Sequence, residues 1–508
     1  MSAPAVLEGT VTPGDEPYRL LPFEVPEGCE RVTVRYRFDA GSILDLGLLD
    51  PRATAFPSRA GFRGWSGSAR REVFVARGAA TPGYLPGPLP AGRWHVILGA
   101  AEVAAGGCRY RVEVEAEVGV AGAPHSEVLA DDARRASADD RPPPPLISAD
   151  DEGPGWYPGD LQTHTHHSDA RGSVQELLAA ARSRGLRYLA VTDHNTVSHW
   201  EPLRALSDGG LLGVPGMEVT TYRGHANVWG ASDWVDFRVT EERDVETMVR
   251  RAHELGGLVS INHPKSQPGC IGCDWQYGIP AEVDAVEAWQ GPWPLRNWES
   301  LERLDRLLAS GRRLTLVGGS DRHQPAGCDR DPLWLQVGSP TTWLWLERFD
   351  ISAVLGALAS GRAFVSEGPA GPHLEIDADG LPMGSRLPPA RGGVSLRASV
   401  RGAVGDRLRW MGASGVLREV PIEGERFEDA WTYRCDGTFV RAEIVADASL
   451  PELRQAVQAL ADANRQAGKP PLPYGITLAE VFSRPFVRAL ANPLFTSAVS
   501  RTAPWRSA

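Results

Sequence analysis

Lysine is almost missing from this chain: among 53 Lys+Arg residues, Lys265 and Lys469 are the only lysines. Basic charge is carried by arginine, and 64 Asp+Glu outweigh it to leave a formal net charge of −11. A surface of that sign is not built to hold a phosphate backbone by counterion release, so no nucleic-acid partner is expected. Long apolar runs are missing too. Nothing approaches the ~20 consecutive residues a membrane span needs, so no membrane partner is expected. The opening MSAPAVLEGTVTPGDEPYRL has neither a basic n-region nor an apolar h-region. No export signal is visible there, and a cytoplasmic location is the expectation. Cysteine is scarce and scattered, at Cys29, Cys108, Cys270, Cys273, Cys328 and Cys435. That is too thin for a disulfide framework, and reduced thiols are the default.

What is present is a chain of 508 residues, long enough for about three domains with cores of their own. Period-two alternation in VTVRYRF (32–38) and CRYRVEVEAEV (108–118) marks strands with one wet face. Gly/Pro-rich turns lie between them, which predicts a β-sandwich-like domain over 1–120. Residues 121–153 carry dense charge and the run Pro142 to Pro145, a composition that buries no core. They read as a linker across which few contacts pass.

The pattern then turns to strand, loop and helix. SVQELLAAARSRG offers Ser173 as N-cap, Glu176 three residues on, Val174, Leu177, Leu178 and Ala181 on one face, and Gly185 as the stop. The strand LRYLAVTDH follows. DVETMVRRAHELG before LVSINHP, and WESLERLDRLLASG before LTLVGGSDRH, repeat the unit. Such alternation predicts a parallel β/α barrel or a doubly wound sheet over 154–365. Alternation with period two returns in Val394, Leu396, Ala398 and Val400 and in FVRAEIV (439–445), predicting a second β-sandwich-like domain over 366–447. A helical tail over 448–508 closes the chain.

His164, His194, Glu218, His263, Asp321 and His323 each fall at the C-terminal end of an apolar strand. In a β/α barrel that rim carries the active site. Buried charges are costly unless paired, so this gathering of imidazoles and carboxylates is best accounted for by cations. Without thiolate, the donor set suits Zn, Mn or Fe in a hydrolytic site.

Six motifs, GDLQTHTHHSD (159–169), VTDHN (191–195), PGMEVTT (215–221), GHANVWG (224–230), INHP (261–264) and GGSDRH (318–323), resemble in order and spacing those of the PHP (polymerase and histidinol phosphatase) metallohydrolases. The nearest likeness is to the carbaryl-hydrolase-like CehA/McbA group. The resemblance implies an α/β fold with a distorted (β/α)7 barrel, here flanked by the two β-sandwich-like domains. It also implies two or three divalent transition-metal ions (Zn, Mn or Fe) and a small-molecule substrate. The implied activity is cleavage of an ester-type bond by a metal-bridging hydroxide, in a carboxylic or carbamic aryl ester or in a phosphoester.

Carried over position by position, the resemblance implies Gln162, His164, Glu218 and Asp321 for one ion. Glu218, His225 and His263 would hold a second, and Asp169, His194 and His323 a third. Glu218 is the implied bridge, and Asp321 or His323 the implied proton carrier. Gln162 departs from the family's histidine; a frame in which His164 and His166 form the pair is the alternative. His166, His167, His199 and His253 are taken as non-ligands. Lys265 and Arg322 flank ligands and would neutralise an anionic group, or else are surface charge. Trp275, Trp289, Trp293 and Trp298 cluster between the fifth and sixth motifs, where Trp289 would wall an apolar substrate or serve core packing. Cys270 and Cys273 read as loop thiols that Cys328 could meet, since no second pair completes a zinc ribbon. Beside hydrolysis of a carboxyl-type or phosphate ester stands a reading of another class, a metal-containing binding module with little turnover.

Overall fold

The computed structural model describes residues 4–119, 153–207, 210–324, 336–388 and 393–496. All of the linker stretch except residue 153 lies outside these, as does Cys328. Residues 4–119 form eight strands: β1 (Ala5–Val11), β2 (Tyr18–Val25), β3 (Cys29–Phe38), β4 (Ile43–Leu49), β5 (Phe62–Gly67), β6 (Glu72–Ala76), β7 (Gly92–Glu102) and β8 (Cys108–Val118). They make two antiparallel four-stranded sheets, ordered β1-β8-β3-β6 and β2-β7-β4-β5. Val32, Val34 and Tyr36 meet Leu44, Leu46, Leu48 and Trp94 in the core between them. The second sheet is covered on its outer face as well. Leu49, Phe62, Trp65 and Ile97 pack into one cluster with Phe237, Trp234 and Met217 of the following region. β4 is accordingly buried on both faces from Leu44 to Leu49.

The main sheet gathers β9 (Gly155–Thr163), β10 (Tyr188–Val191), β11 (Leu212–Thr221), β12 (Gly224–Trp229), β13 (Leu258–Ile261), β14 (Ala285–Gln290), β15 (Thr315–Gly319), β16 (Thr341–Leu346) and β17 (Ala363–Ser366). Helices Val174–Ser183, Glu242–Glu254, Asn297–Ala309 and Ile351–Ser360 pack against it. The helix opening at Val174 starts as its sequence indicates. Ser173 Oγ accepts from the Glu176 amide, Glu176 answers on the Ser173 amide, and Val174, Leu177, Leu178 and Ala181 are buried.

Strands β9-β10-β11 and β13-β14-β15 pair in parallel, but β12 is antiparallel to both of its neighbours and β16 is antiparallel to β9. The sheet does not close into the expected barrel ladder; it runs open, in the order β15-β14-β13-β12-β11-β10-β9-β16-β17 and onward. It curls far enough for β15 to meet β9. The Asp321 amide donates to Gln162 O (2.9 Å) and the His164 amide to Arg322 O (3.1 Å). Gly319 permits that approach, since a Cβ there would lie 2.6 Å from Gln162 Cβ.

The remaining strands are β18 (His373–Ala378), β19 (Leu381–Pro382), β20 (Val394–Arg401), β21 (Arg407–Gly412), β22 (Gly415–Pro421), β23 (Arg426–Tyr433), β24 (Phe439–Val445), β25 (Val487–Ala491) and β26 (Leu494–Phe495). β19-β18-β20-β23 form one sheet, while β25-β24-β21-β22 continue the main sheet beyond β17. The stretch expected to be a helical tail carries helices Leu450–Gln466 and Leu478–Phe482, but it also supplies β25 and β26. Buried at every position but Arg488, VRALA reads as a helical fragment as easily as a strand, and only its partners β17 and β24 decide between them. No helix among the described residues is long and apolar enough to cross a membrane.

The expected independence of the first domain does not hold. Tyr18 stacks on Tyr222 at 5.3 Å and Phe62 on Trp234 at 4.4 Å. The Ser58 amide donates to Asp236, the Gly83 amide to Ser198 Oγ, and Arg70 to His166 O. A proline-rich connection says nothing about what the faces on either side of it bury.

Candidate metal centre

Along β9 the side chains of Asp160, Gln162 and, one step past its end, His164 share a face. Asp160 accepts from the amides of Ser320 (3.0 Å) and Gly338 (2.7 Å), which ties the loop after β15 to this strand. His194 follows β10, His263 follows β13, and Asp321 and His323 follow β15. Glu218 differs from the expected strand-end placement: it lies inside the β11–β12 hairpin, whose second strand carries His225. Asn195, His263 and Asp321 have φ of 53°, 29° and 52°. Left-handed backbone is costly for such residues and is held here by the surrounding structure.

Glu218 is fully buried and lies at the middle of the cluster. Its Oε2 is 2.9 Å from His194 Nδ1 and 3.6 Å from His164 Nε2; its Oε1 is 3.4 Å from His225 Nδ1 and 3.5 Å from His263 Nε2. His164 Nε2 is 2.9 Å from Asp321 Oδ1. Asp169 Oδ1 lies 3.3 Å from His323 Nε2 and 3.6 Å from His194 Nε2. Donor atoms of His164, Asp169, His194 and His323 fall within 4.8 Å of one another, as do those of His194, Glu218 and His225. All nine residues assigned as ligands by resemblance are therefore at one place, although His164 groups as closely with Asp169, His194 and His323 as with Glu218. Gln162 turns its Nε2 to Glu218 Oε1 (3.0 Å).

The electrostatics of the cluster call for positive charge. Burial opposes ionisation of Glu218, yet His194 and His225 hold its carboxyl well below the usual range. Burial likewise works against Asp321, and the adjacent imidazoles of His164 and His323 more than offset it. Burial disfavours charge on His194 too, but Asp169 and Glu218 lift it to about 9; Asp169 and Asp321 lift His323 to about 10. Gln162 Oε1, His164 Nδ1 and Nε2, Glu218 Oε2, His225 Nε2 and Asp321 Oδ1 are buried without a hydrogen-bond partner. Such atoms are rare in folded proteins, and a set of N and O donors is what a borderline or hard divalent cation takes.

Several supporting residues escaped the sequence reading. Asn262 Nδ2 donates to Glu218 Oε1 (2.7 Å), Gln290 Nε2 to Asp321 Oδ2 (2.7 Å), and the His263 amide to Glu287 Oε2 (2.8 Å). The carbonyl of Cys273 lies 2.6 Å from His263 Nδ1, and Thr220 Oγ1 lies 2.5 Å from His194 Nδ1. Asp193 takes hydrogen bonds from the amide and hydroxyl of Thr165 and from Ser168 Oγ, and stands 3.2 Å from His199. Asn262 and Asp193 lie inside the INHP and VTDHN motifs, so polar residues at the ends of apolar strands were the available signal. Gln290 and Glu287 offered none.

Other assignments need correction or placement. Lys265 is buried with Nζ bound to Gln290 O and Asn297 Oδ1, so it is not free to meet an anion; burial lowers it to about 7. Trp289 is buried, donates to Gly291 O and lines a neighbouring apolar cavity with Trp293 instead of the cleft over the cluster. Trp275 and Trp298 belong to the core. Arg322 does line the cleft. His166 meets His167 in a tilted ring contact at 4.9 Å and belongs to neither donor group, and His253 pairs with Asp284. Instead of lying reduced in their loop, Cys270 and Cys273 are joined to each other.

The cleft over the cluster encloses about 680 Å³. Ile43, Asp45 and Trp65 of the first domain and Tyr474 of the C-terminal stretch help line it.

No protein-family model and no curated protein matches the chain. Among solved structures it is similar to a two-domain protein from Bacteroides vulgatus containing a predicted PHP-like metal-dependent phosphoesterase, at 18% identity and a TM-score of 0.35. That match covers 58% of this chain and 91% of the other. A second is an amidohydrolase from Chromobacterium violaceum, at 15% identity and a TM-score of 0.24, covering 35% and 93%.

Proposed function

We propose that the chain is a PHP-type metal-dependent hydrolase acting on an ester-type bond of a small molecule, with phosphoesters the first class to try. The observation that carries this reading is the set of unpartnered buried donors on Gln162, His164, Glu218, His225 and Asp321. Glu218, His194, His225 and His263 would hold one cation, and His164, Asp169, His194, Asp321 and His323 bound the space for others. A divalent cation supplies Lewis-acid polarisation of the scissile group and acidifies water.

The chain's own residues do the rest. Asn262 and Gln290 orient Glu218 and Asp321, and the Cys273 carbonyl fixes which nitrogen of His263 faces inward. Arg322 supplies positive charge at the cleft for an anionic oxygen, which favours the phosphoester form. His323, the most exposed of the cluster's histidines, is placed to pass a proton to a leaving group.

Elemental analysis of protein purified without chelator, followed by assay of phosphate mono- and diesters and aryl esters with Mn, Zn and Fe, tests the reading. Bound metal near one or more per chain and turnover abolished by chelation are expected. Metal near zero after reconstitution overturns it. Metal without turnover of any ester class points to the binding module instead.

A further inference from the structure

Asp45 is a carboxylate in an unexpected place. It sits on β4, a strand whose alternate residues Leu44, Leu46 and Leu48 enter the core of the first domain. Its own side chain points the other way, toward the central region, and lines the cleft over the metal-type cluster. Only 8% of the residue is exposed. Oδ2 accepts a hydrogen bond from Tyr222 OH (2.8 Å). Among the described residues no Lys, Arg or His lies within ion-pair distance of it, and Oδ1 has no hydrogen-bond partner. Burial pushes this carboxyl up to about 7, against the Tyr222 hydrogen bond and the charge of His194.

The surroundings are aromatic and leave room. Trp65, 4% exposed, and Tyr222 line the same cleft, and Tyr18 stacks behind Tyr222. Gly99 lets the Tyr222 hydroxyl reach Asp45, since a Cβ there would lie 2.1 Å from that oxygen. Gly67, at φ +53°, sits where a Cβ would stand 3.7 Å from Trp65 Nε1 and 3.8 Å from Asp45 Oδ1, and its lack of a side chain leaves both open. An unpaired buried carboxylate is expensive and asparagine would satisfy Tyr222 as well, so docking the two regions together does not account for the charge. A carboxylate flanked by aromatic rings is the arrangement that takes an organic ammonium.

We propose that Asp45, with Trp65 and Tyr222, forms a subsite for an alkylammonium group on the substrate, so that the first domain selects what the central sheet hydrolyses. This rests on the hydrolase reading for the word substrate, but not for the binding itself.

Two p-nitrophenyl phosphodiesters of equal size, one with a 3-aminopropyl and one with a butyl group, separate the possibilities in the full-length metal-loaded protein. The wild type is expected to prefer the amine by about tenfold or more in kcat/KM, the scale of one paired against one unpaired buried charge. Asp45→Asn, which keeps the Tyr222 hydrogen bond, should raise KM for the amine ester by about that factor while leaving kcat and the butyl ester nearly unchanged. Equal effects on both esters, or no preference in the wild type, overturn the proposal. Calorimetry with propylamine and with 1-butanol reads the same subsite without turnover. Should neither ester be cleaved, amine binding in the wild type that Asp45→Asn abolishes upholds the subsite, and only the phosphodiester form of the hydrolase reading fails. Absence of amine binding overturns the subsite whatever the turnover, and the wild-type titration stands even if the variant does not fold.

Discussion

The two β regions that flank the metal-type cluster are attached to it in opposite ways. Among the described residues the first shares no strand pairing with the main sheet; it meets it through side chains, with Phe62, Trp65 and Tyr18 against Trp234, Phe237 and Tyr222. The C-terminal region is continuous with the main sheet through the β17–β25 ladder, and Asn492 stitches that seam by bonding Leu316 and Ala363. Yet the side-chain attachment is the one that puts a strand face into the cleft. A ladder aligns strands edge to edge and extends a sheet away from the rim that carries the cluster, whereas a face laid across that rim builds a wall.

That contrast can be broken at several points. The largest effect should follow removal of residues 1–152. The shortened chain, beginning near residue 153, would expose Trp234, Val235 and Phe237 as an apolar patch of a size that soluble monomers seldom tolerate. Aggregation or strong binding of a hydrophobic dye is expected; a soluble monomer melting as sharply as the full chain would show the wall to be dispensable for folding. Next, Phe62→Ala removes a buried ring from the interface and should cost about 3–5 kcal/mol in denaturant unfolding. A loss below about 1 kcal/mol, the level of an exposed site, would mean the interface collapses around the gap.

Asn492→Ala tests the other attachment. It deletes three hydrogen bonds and takes the side-chain partner from the buried Leu316 amide and carbonyl on β15, while Ala363 O keeps the residue 492 amide, so about 2–3 kcal/mol should be lost. Both changes measured together would show whether the two seams unfold as one unit or separately. The smallest effect is expected at Arg59–Glu254, a pair that crosses the first interface at 3.1 Å with side chains 68% and 39% exposed. Arg59→Ala should change stability by less than about 1 kcal/mol and less still in high salt. A larger loss would place charge, not apolar burial, in control of the contact.

Much of the cluster was legible because metal-type ligands sit in short motifs at the ends of apolar strands. His164, His194, His263, Asp321 and His323 each follow a strand directly, and the helix that begins at Val174 announces itself through Ser173 and Glu176. Lys265 and Trp289 were misplaced for one reason: sequence neighbourhood to a ligand does not say which way a side chain turns, and both turn into the protein.

Determined by the chain alone were the local periods: alternation in β3 and β8, helical stripes in Val174–Ser183 and Glu242–Glu254, and the polar residues that end the strands between them. Those are properties of a few consecutive residues and one wet or dry face. Only the tertiary structure decided that VRALA becomes a strand, that the sheet stays open while β15 meets β9, and that Asp45 and Tyr222, 177 residues apart, face one cleft. The physical reason is that a face buried on both sides carries no periodic signal, and the partner that buries it lies too far along the chain to leave a local trace.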